Sequence, residues 1–201
     1  MVGVLALQGG FGMHKVILDQ IGVQSIFVKN EIDLLQTDAL IIPGGESTTL
    51  SILIDRFKLR ASILEYSKHK SIFGTCAGMI MLSTSKKLIN KVKTLDIMSF
   101  SVMRNSWGTQ VYSFEKKISL KKFNIPSFNA VFIRAPKVKS IGAGILNKES
   151  IDFKKNNSSN SDKEVIILED NRHMACSFHP EIDGDTRVHE YFLNKYYYGK
   201  E

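Results

Sequence analysis

The chain has 201 residues, 43% of them apolar and 23% charged, the size and balance of one globular domain with its own core. That excludes a disordered, collagen-like or disulfide-scaffold chain, and no apolar run approaches the roughly 18 residues of a membrane span. The net charge of +7 is uneven, with 14 Lys and 2 Arg against 5 acids in residues 86–163; no zinc-finger spacing or basic helix interleaved with aromatics accompanies it, so it reads as a solvated surface and no nucleic-acid partner is expected.

In chain order, Val2–Leu7 predicts a first strand. It has no basic region ahead of it and is followed by Gln8-Gly9-Gly10, so it is not read as a signal peptide. Gly12–Ile21 predicts a helix stopped by Gly22. Strands follow at Ser25–Val28 and Ala39–Ile42, the second ended by Pro43-Gly44-Gly45. Ser47–Phe57 predicts a helix with Ser47 as N-cap, and Ala61–His69 continues the helical run. Ser71–Gly74 is a strand and Cys76–Ser83 a helix. Near-continuous apolar strands separated by helices indicate a parallel sheet covered on both faces.

Beyond Leu95 the pattern changes. Leu95–Met103, Val111–Phe114, Ala130–Ile133 and Ile141–Leu146 are strand-like with little helix between them, and predict an antiparallel extension of the sheet. The polar run Lys154–Lys163 predicts an exposed loop. Val165–Leu168 and Met174–Phe178 resume as strands around a turn at Asp170-Asn171, and Asp185–Tyr196 predicts a final helix. The expected fold is an α/β three-layer sandwich around a mostly parallel sheet, formed by residues 1–201 as a single domain.

Three strings carry chemistry. Gly74-Thr75-Cys76-Ala77-Gly78 follows a strand and opens a helix, the Gly-x-nucleophile-x-Gly elbow with Cys in place of Ser. Such a turn lifts the side chain out of the fold, and the helix start favours an anion there. A buried, inert cysteine beside packing glycines is the competing reading. Phe178-His179-Pro180-Glu181 offers a base and, two residues on along an extended segment, a carboxylate to orient it; a lone histidine is more often structural, and the string gains weight only beside the elbow. Pro43-Gly44-Gly45-Glu46-Ser47-Thr48 lies at the edge where open α/β sheets bind ligands, and its Gly-Gly turn frees backbone N–H groups for an anion; an ordinary capped turn is the alternative. Arg104-Asn105-Ser106-Trp107-Gly108 and Phe132-Ile133-Arg134-Ala135-Pro136 each put an arginine at a strand end, suited to a substrate carboxylate or simply to solvent. Cys176 is expected in the core, His69 and His173 at the surface or in turns, and His189 partly exposed on the last helix. No zinc-ligand spacing or dinucleotide fingerprint is present. Two cysteines without an export signal predict free thiols in a reduced, cytoplasmic setting.

Taken together and in this order, PGGEST, GTCAG and FHPE resemble a class I glutamine amidotransferase domain. Leu7-Gln8-Gly9, RNSWG, FIRAP, and Asp185-Thr186-Arg187-Val188-His189 after FHPE narrow the resemblance to the glutaminase subunits of pyridoxal 5'-phosphate (vitamin B6) synthase, from Gly3 to about Phe192. The resemblance implies hydrolysis of L-glutamine to L-glutamate and ammonia, with Cys76 as nucleophile, His179 as base and then acid, and Glu181 as the orienting carboxylate. It implies an oxyanion hole from the N–H groups of Gly45 and Ala77, and glutamine binding by Gly45, Glu46, Ser47, Arg104, Ile133 and Arg134. Gln8 corresponds to a loop near the active site and partner interface. No metal or cofactor is implied; the partner is a (β/α)8-barrel synthase subunit in a hetero-oligomer, which receives the ammonia. Where this family carries a Glu before its His in the first helix, Met13 precedes His14 here. Competing functions are the glutaminase of another biosynthetic amidotransferase, against which FIRAP and RNSWG argue; a cysteine hydrolase or peptidase, against which FHPE argues; and a catalytically silent regulatory subunit, against which the complete Cys76, His179 and Glu181 set argues.

Overall fold

A computed structural model describes residues 1–85, 91–103, 113–154 and 161–199. The strands are β1 (Val2–Leu5), β2 (Ser25–Val28), β3 (Ala39–Ile42), β4 (Ser71–Thr75), β5 (Phe100–Met103), β6 (Ser113–Leu120), β7 (Ile125–Ile133), β8 (Lys137–Ile141), β9 (Asn147–Lys154), β10 (Ser161–Glu169) and β11 (Met174–Cys176). The helices are α1 (Phe11–Ile21), α2 (Glu31–Leu35), α3 (Ser47–Arg56), α4 (Leu59–Ser67), α5 (Ala77–Leu82) and α6 (Arg187–Phe192), the last continued by a wider turn over Leu193–Tyr197.

Seven strands form one sheet in the order β2-β1-β3-β4-β11-β10-β9. The first five run parallel, and β10 and β9 extend the sheet antiparallel. The strand period of two sends alternate residues to opposite faces. Val2, Val4, Ala39 and Ile41 meet Leu18 of α1 and Val188 and Phe192 of α6. Leu5, Leu40, Ile42 and Ile72 meet Leu50 and Ile54 of α3, Leu59 and Ile63 of α4, and α5. Both faces of the sheet are covered, so β1, β3 and β4 are buried along their whole length and read as continuous apolar runs. β1, β3, β4 and β11 are parallel neighbours, so the segments that leave their C-terminal ends emerge together on one edge.

Several expectations are corrected. Among the described residues, those between Leu95 and Ile141 do not extend the main sheet; their strands form two separate two-stranded antiparallel ribbons, β5–β8 and β6–β7, while Val111 and Tyr112 of the expected strand lie outside the described residues. The cause is amphipathicity. Each ribbon has one apolar face, and it lies on a face of the central sheet instead of joining its edge: Ile118, Leu120, Phe128 and Phe132 enter one core and Phe100 and Val102 the other. Phe114 and Phe132 stack across the β6–β7 pair with ring centroids 4.6 Å apart. Ile141–Leu146 is not a strand: β8 ends at Ile141 and the Gly142 N–H turns back to the Ser99 carbonyl. Lys154 and Ser161–Lys163 belong to β9 and β10, not to a loop; residues 155–160 lie outside the described residues. α2 was not expected, and its Asn30 cap accepts from the Asp33 N–H. The N-cap of α3 is Glu46, not Ser47. Among the described residues, no helix is long and apolar enough to cross a membrane.

Candidate active site

Four chain segments meet at the C-terminal edge of the sheet. β4 ends at Thr75, and the next residue, Cys76, adopts φ 48°, ψ −101° before α5 begins at Ala77. This left-handed backbone is strained for a residue with a Cβ, at a cost of order 1–3 kcal/mol, and strain of this kind concentrates at functional sites. The strained turn is held from below by the Cys76 N–H donating to the Cys176 carbonyl of β11, 2.8 Å away. α5 starts so close to β3 that a Cβ on Gly78 would run into the Ile42 carbonyl oxygen. The thiol points to the Ile133 carbonyl at 3.7 Å.

The segment leaving β11 carries His179 and Glu181. The segment does not run on extended as expected: Pro180 and Glu181 form a turn in which the Ile182 N–H reaches the His179 carbonyl at 3.5 Å, and this turn brings His179 Nδ1 to 2.8 Å from Glu181 Oε1. Both are buried, and the His179 N–H is anchored on the Val131 carbonyl of β7. Burial opposes charge on His179, but its hydrogen bonds to Cys76 and Glu181 outweigh this and raise it to about 10. Burial likewise opposes charge on Glu181, and His14 and His179 facing it bring the carboxyl down to about 2.

The turn leaving β3 passes directly beneath this pair: a Cβ on Gly44 would overlap the His179 ring and lie against the Cys76 Cβ. Beyond it, Glu46 caps α3, accepting from the Thr48 and Thr49 N–H groups. Gln8, from the segment leaving β1, accepts from the Glu46 N–H through Oε1 at 3.0 Å and so ties the first loop to the second. Gly45, Glu46, Ser47, Cys76, Ile80, Ile133, Arg134 and His179 line one cleft of about 170 Å³.

Of the residues singled out in the sequence, the fold therefore gathers Cys76, His179, Gly45, Glu46, Ser47, Ile133 and Arg134 around the cleft, with Glu181 behind His179 and Gln8 beneath the loop. Ala77 is the first residue of α5, immediately after the thiol. Arg104 and the rest of RNSWG lie outside the described residues. Arg134 also has a positive φ, 45°, which the sequence did not announce.

Sequence reasoning missed a second set of groups behind Glu181. His14 of α1 and His189 of α6 are both fully buried, so the partly exposed position expected for His189 is wrong. His14 Nδ1 is 2.8 Å from His189 Nε2, His14 Nε2 is 3.2 Å from Thr75 Oγ1, and His14 Nε2 is 3.5 Å from Glu181 Oε2. Helical spacing held a signal: His14 shares a face with the buried Ile17 and Leu18, and His189 with the buried Phe192 and Leu193. His173 follows a turn but is buried, accepting from the Ile72 N–H at Nδ1. Cys176 is in the core as expected, and burial raises its thiol well above the ordinary range.

The SNO glutamine amidotransferase family matches residues 4–197. The chain is 40% identical to the pyridoxal 5'-phosphate synthase subunit PdxT of Oenococcus oeni, over 96% of this chain and 94% of that one. It is 41% identical to the subunit of the same name from Dehalococcoides mccartyi, over 96% of this chain and 95% of the other. Among solved structures, one described as a glutamine amidotransferase superposes with a TM-score of 0.81 at 34% identity, covering 96% of this chain and 97% of that one.

Proposed function

The chain belongs to the SNO glutamine amidotransferase family, and from that membership we propose that it is the glutaminase subunit of a pyridoxal 5'-phosphate synthase, working as one amidotransferase domain. It hydrolyses L-glutamine to L-glutamate and ammonia. His179, raised to about 10, already holds the proton it has taken from Cys76 when Cys76 attacks the side-chain amide carbon. His179 then returns that proton to the amide nitrogen, the carbon–nitrogen bond breaks, and ammonia leaves. Water, deprotonated by His179, attacks the thioester; the carbon–sulfur bond breaks and glutamate departs. Glu181 keeps its charge throughout, holding His179 Nδ1–H so that the other ring nitrogen faces Cys76. The N–H groups of Gly45 and Ala77 stabilise the oxyanion. Gly45, Glu46, Ser47, Arg104, Ile133 and Arg134 bind glutamine, with an arginine on the α-carboxylate. Gln8, which tethers the Glu46 loop, links that loop to the docking face. The ammonia passes to a (β/α)8-barrel synthase partner in a hetero-oligomer, in the cytoplasm, where Cys76 and Cys176 remain free thiols.

One observation carries this reading: a cysteine at a strained strand-to-helix turn and a histidine held from behind by Glu181 converge in one cleft. Glutamate release from L-glutamine, assayed with the synthase subunit present, tests it. Cys76→Ala should abolish release while circular dichroism and partner docking stay unchanged. Unaltered release by the variant would overturn the assignment.

A further inference from the structure

The orienting carboxylate of the proposed triad has a neighbour on its far side. Glu181 Oε1 is taken by His179, whereas Oε2 is buried and has no hydrogen-bond partner within ordinary distance among the described residues. The nearest polar group is His14 Nε2 at 3.5 Å, which also lies 3.2 Å from Thr75 Oγ1. Behind His14 stands His189, whose Nε2 is 2.8 Å from His14 Nδ1 and whose Nδ1 has no partner among the described residues. The Phe73 ring meets His189 edge-on, with centroids 5.8 Å apart.

We infer that His14 is a positioning residue for the reaction, fixed by His189 in the tautomer that directs an N–H at Glu181 Oε2. This rests on the glutaminase reading for what the chain of groups serves, and on geometry for its protonation. One proton lies between the two imidazoles. If His14 supplied it, His189 would carry its own proton on Nδ1, a buried N–H with no acceptor. The bare His14 Nε2 would then turn a lone pair toward a carboxylate. If His189 supplies it, both difficulties vanish: His189 Nδ1 is an empty acceptor, a cheaper state than an orphan donor, and His14 Nε2–H faces Thr75 Oγ1 and Glu181 Oε2. Burial lowers both histidines, keeping them neutral at neutral pH. The other titratable groups around the array are His179 on Glu181, Cys76 beside His179, and Cys176 facing Glu181 and Cys76. The ordered chain is therefore His189, His14, Glu181, His179, Cys76. It runs from α6 through α1 to the loop after β11, and sets the carboxylate that sets the base.

Nitrogen-15 NMR of the wild-type imidazoles at neutral pH reads the tautomers without any substitution. The expected result is Nε2–H for both His14 and His189; a His14 protonated on Nδ1 overturns the inference. The functional arm uses the complex with the synthase subunit. His14→Leu should lower kcat for glutamine hydrolysis on the order of 10-fold, part of what a correctly oriented base contributes, with KM unchanged. It should also move the acid limb of the kcat/KM profile to higher pH, because Glu181 loses a donor to its charged form. His14→Gln, whose amide N–H reaches the position of Nε2, should restore both. A folded His14→Leu variant with wild-type kcat and pH profile overturns the positioning role. Absence of glutamine hydrolysis in the wild-type complex would instead count against the glutaminase reading and leave the tautomer measurement to decide the inference.

Discussion

At the scale of single residues, the site is a set of close approaches that tolerate little change. Gly44 is the one that lies against the proposed base and nucleophile together, since any Cβ there meets both His179 and Cys76. Gly44→Ala should therefore cost far more activity than stability. Displacing His179, the proposed base, by about 1 Å is worth roughly 100-fold in rate, so kcat should fall by that order while the thermal midpoint moves only slightly; an equal kcat would contradict the placement. Glu46 acts at the same scale through a different force. It caps α3 with two backbone bonds, which hold its carboxyl at about 2 against the opposing effect of burial. Glu46→Ala should lower unfolding stability by about 1 kcal/mol in urea titrations. Cys76, His179 and Glu181 were legible in the sequence because each sits in a short local string whose geometry is set by its neighbours. His14 and His189 were not: each is a lone histidine in its own helix, and their pairing joins positions 175 residues apart.

At the scale of elements, the parallel half of the fold was legible and the ribbons were not. β1, β3 and β4 carry continuous apolar runs that only a doubly covered sheet accommodates. Around β6 and β7 only the stretches Val111–Phe114 and Ala130–Ile133 read as strand-like, because Lys116-Lys117 and Pro126 interrupt the apolar pattern; whether such a pair joins a sheet edge or lies on its face is settled by tertiary packing. α2 left a readable trace in Asn30 followed three residues later by Asp33, but its five residues carry too little periodicity to stand out. The elbow is the element on which the site depends most. Gly78 lets α5 start against the β3 backbone, and Gly78→Ala should push them apart at a cost of about 1–3 kcal/mol. The urea midpoint checks this; an unchanged midpoint would show that α5 is free to shift.

At the scale of the whole molecule, the buried histidines make stability depend on pH in a definite direction. His14, His173 and His189 are all lowered, chiefly by burial, His173 to about 4 and His189 to about 3. Each contributes fully above the unfolded value of about 6.5 and loses its contribution as pH falls from there toward its folded value. His179 is raised, so its contribution is complete below about 6.5 and is lost as pH climbs through about 10. Between pH 7 and 5 the three lowered histidines outweigh the one raised, and the urea midpoint should fall steadily across that interval, before the carboxylates titrate. A flat midpoint from pH 7 to 5 would contradict the burial of these groups. The cleft at the sheet edge is the proposed glutaminase site, serving a synthase partner. The most direct test is glutamate release from L-glutamine by the purified chain, alone and with the synthase subunit. Release should rise strongly when the partner is added. A folded chain that binds the partner and releases no glutamate in either condition would contradict the assignment.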